Sequence, residues 1–449
     1  MADEQDSGTT RRRFLTGSAG VISGSTALSA GLSSLTALQA SAETSSATAA
    51  LQNPGRRVVV GVMGVMRGLA LANAFRSVPG VEVRYLSDVD SQRLESARES
   101  FAKSVSYEVR AVGDFRDILK DSEVDALIVA APNHWHAPAA ILACAAGKHA
   151  YVEKPCCHNP REGELLVEAA RKHHRCVQMG SQRRSGDRII EAMKLLHEGK
   201  LGRVYYSRGW YAATRGDMGH GKVTEPPKHI NYDLWQGPAP RFPYSSNRIH
   251  YNWHWLWHYG NGELGNNGIH YLDICRWGLQ VTYPTRVVSS GGRYRFQDDQ
   301  ETADTHVVSF EFEDRKQIFW EGLSCSRDGL YGDGFGASFH GETGSMRVDN
   351  WGYAIYDQRG KETARETGPD GLVAHLTNFV TAIRENNPAL LNAEIEEGHR
   401  STLLCHLGNI AQRTGQVLHC DPASGRILNS PEAEALWSRN YEPGWEPVV

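Results

Sequence analysis

From residue 57 to residue 180, short apolar runs alternate with amphipathic stretches. Residues 57–63 (Arg-Val-Val-Val-Gly-Val-Met) are almost wholly apolar, the pattern of a strand buried on both faces of a parallel sheet. A helix is predicted over 69–77, a second strand over 81–86 that stops at Asp88, and helical stretches over 92–102 and 114–119. Residues 125–131 predict a further buried strand, stopped by Pro132-Asn133, and a helix over 138–146 ends at Gly147. A strand over 149–152 runs into Glu153-Lys154-Pro155, followed by a helix over 160–174 and a strand over 176–179. Such alternation predicts a doubly wound parallel sheet with right-handed crossovers. Ligands of these sheets bind outside the carboxyl ends of the strands. Those ends are Gly64, Asp88, Pro132-Asn133 and Glu153-Lys154.

Past residue 180 the pattern shifts toward strands with turn boundaries, over 204–211, 285–290, 305–312, 316–321, 337–341 and 344–350. Two helices follow. Leu376, Phe379, Val380 and Ile383 recur at helical spacing, as do Leu403, Leu404, Leu407 and Ile410, with Gly415 as the stop. No internal repeat is visible.

Composition narrows the field. The chain has 449 residues, 22% charged and 40% hydrophobic, which excludes a disordered polyelectrolyte or a small disulfide-stapled module. Forty-eight basic against fifty-two acidic residues leave no field for nucleic acid or anionic lipid. The apolar runs are too short for a membrane span, which takes about 20 residues. Eight scattered cysteines without a C-x-x-C pair are neither a disulfide framework nor a zinc ribbon. Residues 1–42 carry Arg11-Arg12-Arg13-Phe14-Leu15, a weakly apolar stretch and Ala40-Ser41-Ala42, a pattern that resembles a bacterial twin-arginine (Tat) export signal. Residues 43–56 read as a flexible lead-in broken at Pro54-Gly55. The expected location is the periplasm or an equivalent extracytoplasmic compartment.

After the first strand the chain reads Gly61-Val62-Met63-Gly64-Val65-Met66-Arg67-Gly68, an imperfect G-x-G-x-x-G fingerprint of a dinucleotide fold. Gly64 suits the tight turn and Gly68 the close helix–strand packing, while Met66 stands where the second glycine would let a pyrophosphate approach. Asp88 suits hydrogen bonds from a ribose diol and repels a 2′-phosphate, which favours NAD over NADP; the same residue could instead cap the following helix.

Further motifs fall at suitable strand ends. They are Pro132-Asn133-His134-Trp135-His136, Glu153-Lys154-Pro155 and Gln178-Met179-Gly180-Ser181-Gln182-Arg183-Arg184. A fourth runs Gly260-Asn261-Gly262-Glu263-Leu264-Gly265-Asn266-Asn267-Gly268-Ile269-His270-Tyr271-Leu272-Asp273. The ordered set resembles the glucose-fructose oxidoreductase / inositol dehydrogenase / rhizopine-catabolism (Gfo/Idh/MocA) family over essentially the whole chain after residue 56, and its Tat-exported members above all. The resemblance implies a Rossmann domain over 57–180, followed by an α/β domain over 181–449. The open, mainly antiparallel sheet of the second domain would cover an NAD cofactor and support a dimer or tetramer. Cofactor contacts are then expected from Gly61, Gly64, Met66, Arg67, Asp88, Pro132 and Asn133. His136, Glu153, Lys154, Gln182 and Arg183 are expected to join them.

Oxidising a carbinol needs a group that takes the hydroxyl proton and a cation that tolerates the alkoxide. The resemblance gives that role to Lys154, whose pKa desolvation would lower. His270 is the second catalytic candidate. Typical relatives carry a carboxylate four residues before this histidine; here the position is Asn266, and Asp273 is the nearest acid in sequence. His136, Trp255, Asn266 and Asp273 are expected to meet the substrate, a carbohydrate or polyol. Along residues 251–259 a period-two reading puts Trp253, Trp255, Trp257 and Tyr259 on one face, suited to sugar stacking or to plain packing. His254 and His258 have ligand spacing but no accompanying metal motif, so no metal is expected. Asp298, Asp299, Glu301 and Asp304 read as a solvated loop or a subunit contact. An exported dehydrogenase that released its reduced cofactor would stop after one turnover, so a held cofactor is expected. Three functions remain open. They are a sugar oxidoreductase, an NAD-using glycosidase or lyase with no net redox change, and a non-catalytic sugar- or nucleotide-binding protein.

Overall fold

The computed structural model describes residues 55–428 and 430–449. The expected leader, residues 1–42, and most of the lead-in lie outside them. Six strands form the first sheet: β1 (Val58–Met63), β2 (Val81–Ser87), β3 (Arg110–Val112), β4 (Ala126–Val129), β5 (His149–Val152) and β6 (Val177–Met179). They are all parallel, in the order β3-β2-β1-β4-β5-β6 of a doubly wound dinucleotide fold. Every residue of β1, β4 and β5 is buried, as their unbroken apolar runs require.

Helices α1 (Arg67–Phe75), α2 (Ser91–Ala102), α3 (Arg116–Lys120), α4 (Asn133–Ala145) and α5 (Pro160–Lys172) make the crossovers. Asp90 caps α2 by accepting from the Gln92 and Arg93 amides, so Asp88, two residues earlier, is not the cap. Helix α4 starts at Asn133 rather than at the expected residue 138; Pro138 is accommodated within its first two turns. Asn159 caps α5, with Pro160 in the first turn.

After α6 (Asp187–His197), the chain builds a mixed sheet around β7 (Val204–Thr214). A segment containing α7 (Tyr232–Gln236) leaves this sheet and returns before α8 (Ile269–Leu279). The sheet continues with β8 (Arg286–Gly292), β9 (Thr305–Phe312), β10 (Lys316–Leu323) and β11 (Cys325–Ser326). Four further strands are β12 (Phe335–Gly341), β13 (Gly344–Val348), β14 (Gly352–Asp357) and β15 (Glu362–Thr367). All pairings are antiparallel except β7 with β10. β15 escaped the sequence reading because every residue in it is exposed, as an edge strand permits.

Helix α9 (Leu372–Arg384) departs from the expected division at residue 181: it returns to the first sheet, where Phe379 packs edge-on against Phe75 and Tyr151. α10 (Ile395–Thr414) follows, then β16 (Leu418–Cys420), β17 (Ile427–Leu428) and α11 (Pro431–Glu434). The eight cysteines are free thiols, seven of them buried. No helix of the described residues is long and apolar enough to cross a membrane.

Candidate active site

A cleft of about 440 Å³ opens at the carboxyl ends of β1, β2, β4 and β5. Gly64, at the end of β1, has φ +88°, and a Cβ there would lie 2.6 Å from the Ala130 carbonyl oxygen. Only glycine allows this turn to pass so close to β4. α1 then starts with no side-chain cap, which leaves its first-turn N–H groups for an anion. Met66 fits where a glycine was wanted because its side chain turns out at the mouth, 52% exposed. Gly68 packs against Val62, where a Cβ would meet Cγ1 at 2.7 Å. Gly61, expected to touch the cofactor, sits inside β1 against Ile118 and does not line the cleft.

Asp88 lies at the tip of β2 and accepts from the Val65 amide at 2.9 Å and the Asp90 amide at 3.0 Å. Burial raises its pKa; the two amides and His250 work against that rise. Pro132, Asn133, Gln182 and the Arg67–Glu153 ion pair (2.9 Å) complete this part of the wall. His136 also lines the cleft, but its Nδ1 lies 2.6 Å from the Pro155 carbonyl oxygen and its Nε2 2.8 Å from that of Ala131. A carbonyl oxygen faces each ring nitrogen, and the neutral ring that burial favours donates to one of them, so His136 braces the ends of β4 and β5 and does not offer the expected hydrogen bond to a ligand.

Lys154 stands at the floor. Its Nζ donates to the Asn266 backbone carbonyl at 2.6 Å and to Asn266 Oδ1 at 3.3 Å. Burial lowers its pKa to about 8, against the opposing charges of Glu153 and Glu263. Asn266 belongs to a π-helical turn, Leu264–Gly268. Glu263 is the carboxylate that sequence reasoning overlooked. It is 3% exposed, accepts from Asn266 Nδ2 at 3.3 Å and from Asn267, and pairs with Arg215. The signal was available: Glu263 stands three and four residues before the two asparagines, one helical turn away.

His270 also lines the cleft. Burial, together with the charges of Arg183, Lys154 and Arg67, holds its pKa well below the usual imidazole value, so it is neutral. Arg183 itself lies outside the cleft wall. It donates to Asn350 and stacks 5.0 Å from the Tyr271 and Phe335 rings, reaching the site through its charge rather than by contact.

Two of the expected substrate residues lie elsewhere. Asp273 is 1% exposed and locked to Arg184 (2.8 Å) and Ser401 (2.6 Å). Trp255 is buried under the Arg215 guanidinium, 4.7 Å from its ring. The period-two reading fails because Asn252–Trp255 form a 3₁₀ turn, which sends neighbouring indoles in different directions. Trp253 faces the cleft, stacked 3.6 Å from His254, while Trp257 meets Arg413. His254 Nδ1 bonds the Tyr251 carbonyl at 2.6 Å, leaving Nε2 as an acceptor. Burial pushes its pKa down to about 3.

The segment that carries these aromatics crosses the cleft as a strap. The Asn231 amide bonds the Val89 carbonyl and the Ser91 amide that of His229, both at 2.9 Å. His250 Nε2 reaches Asp90 at 3.1 Å. The acidic run, expected as a solvated loop or a subunit contact, holds the strap's first residues: Asp298 accepts from the Met218 amide and Asp299 from that of Gly221. Asp298 and Asp304 are themselves buried against Arg293. Among the described residues, no three His, Cys, Asp or Glu side chains converge as a metal site.

A glycine turn, an uncapped helix start and a buried acid at the second strand tip define a dinucleotide-binding protein, closed here by a second α/β domain. Residues 56–181 match the family model described as "Oxidoreductase family, NAD-binding Rossmann fold", and residues 209–447 match "Oxidoreductase family, C-terminal alpha/beta domain". The chain belongs to the Gfo/Idh/MocA oxidoreductase family. It is similar to levoglucosan dehydrogenase of Pseudarthrobacter phenanthrenivorans, 30% identical over 245 residues, covering 52% of this chain and 55% of the relative. It also resembles a "Glycosyl hydrolase family 109 protein" of Saccharopolyspora erythraea, 31% identical over 160 residues, covering 34% and 35%. The chain thus spans about half or less of these relatives' lengths. Its fold is shared with the solved aldose-aldose oxidoreductase of Caulobacter crescentus, at TM-score 0.62 and 20% identity, covering 81% of this chain and all of that one.

Proposed function

We propose that the protein transfers hydride between a sugar, glycoside or cyclitol hydroxyl and an NAD that stays bound through the cycle. The observation that carries this reading is the Lys154 amine. It is desolvated to a pKa of about 8 at the tip of β5 and aimed by the Asn266 carbonyl. When bound, NAD supplies the hydride acceptor; the Gly64 turn, the α1 start and Asp88 would hold it. Neutral Lys154 takes the carbinol proton. Neutral His270 and His254 Nε2 offer uncharged partners to the substrate hydroxyls. The strap excludes water. The test is a panel of glycosides and polyols added to the purified protein, followed at the reduced-nicotinamide absorbance band. An unchanged spectrum across the panel would remove the proposal.

Retention is supported by the strap's backbone bonds to Val89 and Ser91, which bridge the mouth beside Asp88. It fits the proposal that residues 1–42 are a twin-arginine leader and that the protein folds around its cofactor before export. Denaturing the protein purified from cytoplasm is expected to release about one dinucleotide per chain, read by chromatography; recovery of none would sink the held-cofactor reading. Asp88→Asn removes a charge-assisted ribose bond worth about 1.5–3 kcal/mol. It is expected to weaken NAD binding roughly 10- to 100-fold and to narrow the preference over NADP, measured by titrating both forms.

The likeness to a glycosyl hydrolase family 109 protein favours a second reading, in which a transient ketone acidifies the neighbouring C–H and the aglycone is eliminated. Product analysis separates the two, because this route cleaves a glycoside with no net redox change.

A further inference from the structure

The strap is held at three places, and they differ in kind. At its start, Asp298 and Asp299 accept from the Met218 and Gly221 amides, and the Asp298 carboxylate is fully buried beside Arg293. In its middle, α7 sits on the start of α4. The Trp235 carbonyl accepts there from His134 Nε2 at 2.9 Å and from Trp135 Nε1 at 3.0 Å. Tyr232, Trp235, Trp253 and Tyr259 pack around this point as a buried cluster. The turn after α7 leaves no room for a Cβ at Gly237, which lies against the Trp135 ring.

The third place is the corner Val89–Ser91, between β2 and α2. Asp90 and Ile230 form a β-bridge, and the Ser91 and Asn231 amides bond across it. Ser91 Oγ also donates to the His229 carbonyl at 3.2 Å. His250 Nε2 donates to Asp90 at 3.1 Å, with His229 Nε2 at 3.8 Å. Asp90 is buried, but the groups that meet it here are within reach of water. The His229 and His250 side chains are 33% and 21% exposed, and Ser91 is exposed. A few solvent-accessible bonds open more readily than a buried cluster. The corner also borders the first cleft: Asp88 and Val89 line it from β2, and Leu234, Trp235, His250 and Tyr251 line it from the strap.

We propose that this corner is the gate for cofactor exchange: the strap lets go of Val89–Ser91 while its start and α7 stay in place, and this release sets the rate at which NAD enters and leaves. The inference rests on the held-cofactor reading only in taking the first cleft as the dinucleotide site, and it needs no substrate. Every fastening bond joins protein to protein, so weakening one frees the strap in empty and loaded protein alike. Entry and release then quicken together, and the dissociation constant moves much less than either rate. Loss of a direct contact to the dinucleotide would instead raise release alone.

Ser91 allows the corner to be cut without touching the cleft, which it does not line. It is the first residue of α2, where proline is well tolerated because the missing N–H has no partner within the helix. Asp90 before it is extended, at φ −95° and ψ 104°, as the residue preceding a proline prefers. Ser91→Pro removes both the amide and the hydroxyl bond to the His229 carbonyl.

The test loads the purified full chain with NADH, chases it with excess NAD and follows the loss of nicotinamide fluorescence; titration with NADH gives the dissociation constant. Ser91→Pro is expected to speed release about tenfold or more, the worth of one to two hydrogen bonds, with a much smaller change in the dissociation constant. His250→Leu is expected to speed release too and serves should Ser91→Pro not fold. His250→Gln, which keeps a donor for Asp90, should restore slow release. Release at the unaltered rate in the folded variants would overturn the gate, as would a dissociation constant that rises in step with release in Ser91→Pro. Failure of NADH to bind the unaltered protein would overturn the reading of the first cleft itself, and the gate with it.

Discussion

Lys154→Met is expected to lower turnover by about 10²- to 10⁴-fold, the usual worth of a positioned general base, while the dinucleotide stays bound. The side chain keeps much of its length and apolar stem, so the cleft keeps its shape, and Asn266 loses only a partner that a water can replace. The sign of the pH dependence follows from the direction of the shift. Burial lowers the Lys154 pKa to about 8, and the neutral amine is the form that accepts a proton. Alcohol oxidation should rise with pH and level off above about 8, while carbonyl reduction, which needs the charged form, should fall over the same interval. Glu263 raises the Lys154 pKa through its charge, so Glu263→Gln should move the oxidation limb to lower pH. A merely structural Glu263 would change the amplitude and leave the limb in place. Turnover by Lys154→Met at the rate of the unaltered protein would end the assignment of this residue as the base.

Much of this site can be read from the sequence because its parts sit at strand tips, where a buried apolar run ends on a polar residue. Gly64, Asp88, Pro132-Asn133 and Glu153-Lys154 mark four such tips, and all line the cleft. Residues whose role depends on distant partners were not legible. Glu263 stood in plain view in the motif, one helical turn before Asn266 and Asn267, but its pairing with Arg215 spans 48 positions. Period two gave the wrong faces for the tryptophans because a 3₁₀ turn of four residues leaves no periodicity to detect. His136 was placed correctly and given the wrong task, since neither carbonyl that takes its nitrogens announces itself in the sequence.

Asp273→Asn is expected to cost about 3–5 kcal/mol of stability, the range for breaking a buried ion pair from one side, and to leave the substrate KM unchanged. Asp273 stands three positions after His270 on α8, which made it a reasonable candidate for tuning the imidazole. Its carboxylate instead faces the Arg184 guanidinium through contacts of 2.8–3.0 Å and accepts from Ser401 on α10. Arg184 is itself buried at 6% exposure and stacked 5.2 Å from the Trp277 ring, so no solvent is at hand to take over its charge. Asparagine preserves the shape and one acceptor, which keeps α8 and with it His270 in place while the guanidinium is left with only Glu397, 3.6 Å away, as its counter-charge. The loss should therefore appear in the denaturant midpoint rather than in the kinetics of the folded protein. A variant of undiminished stability and a raised KM would return Asp273 to the substrate and make the Arg184 contact incidental.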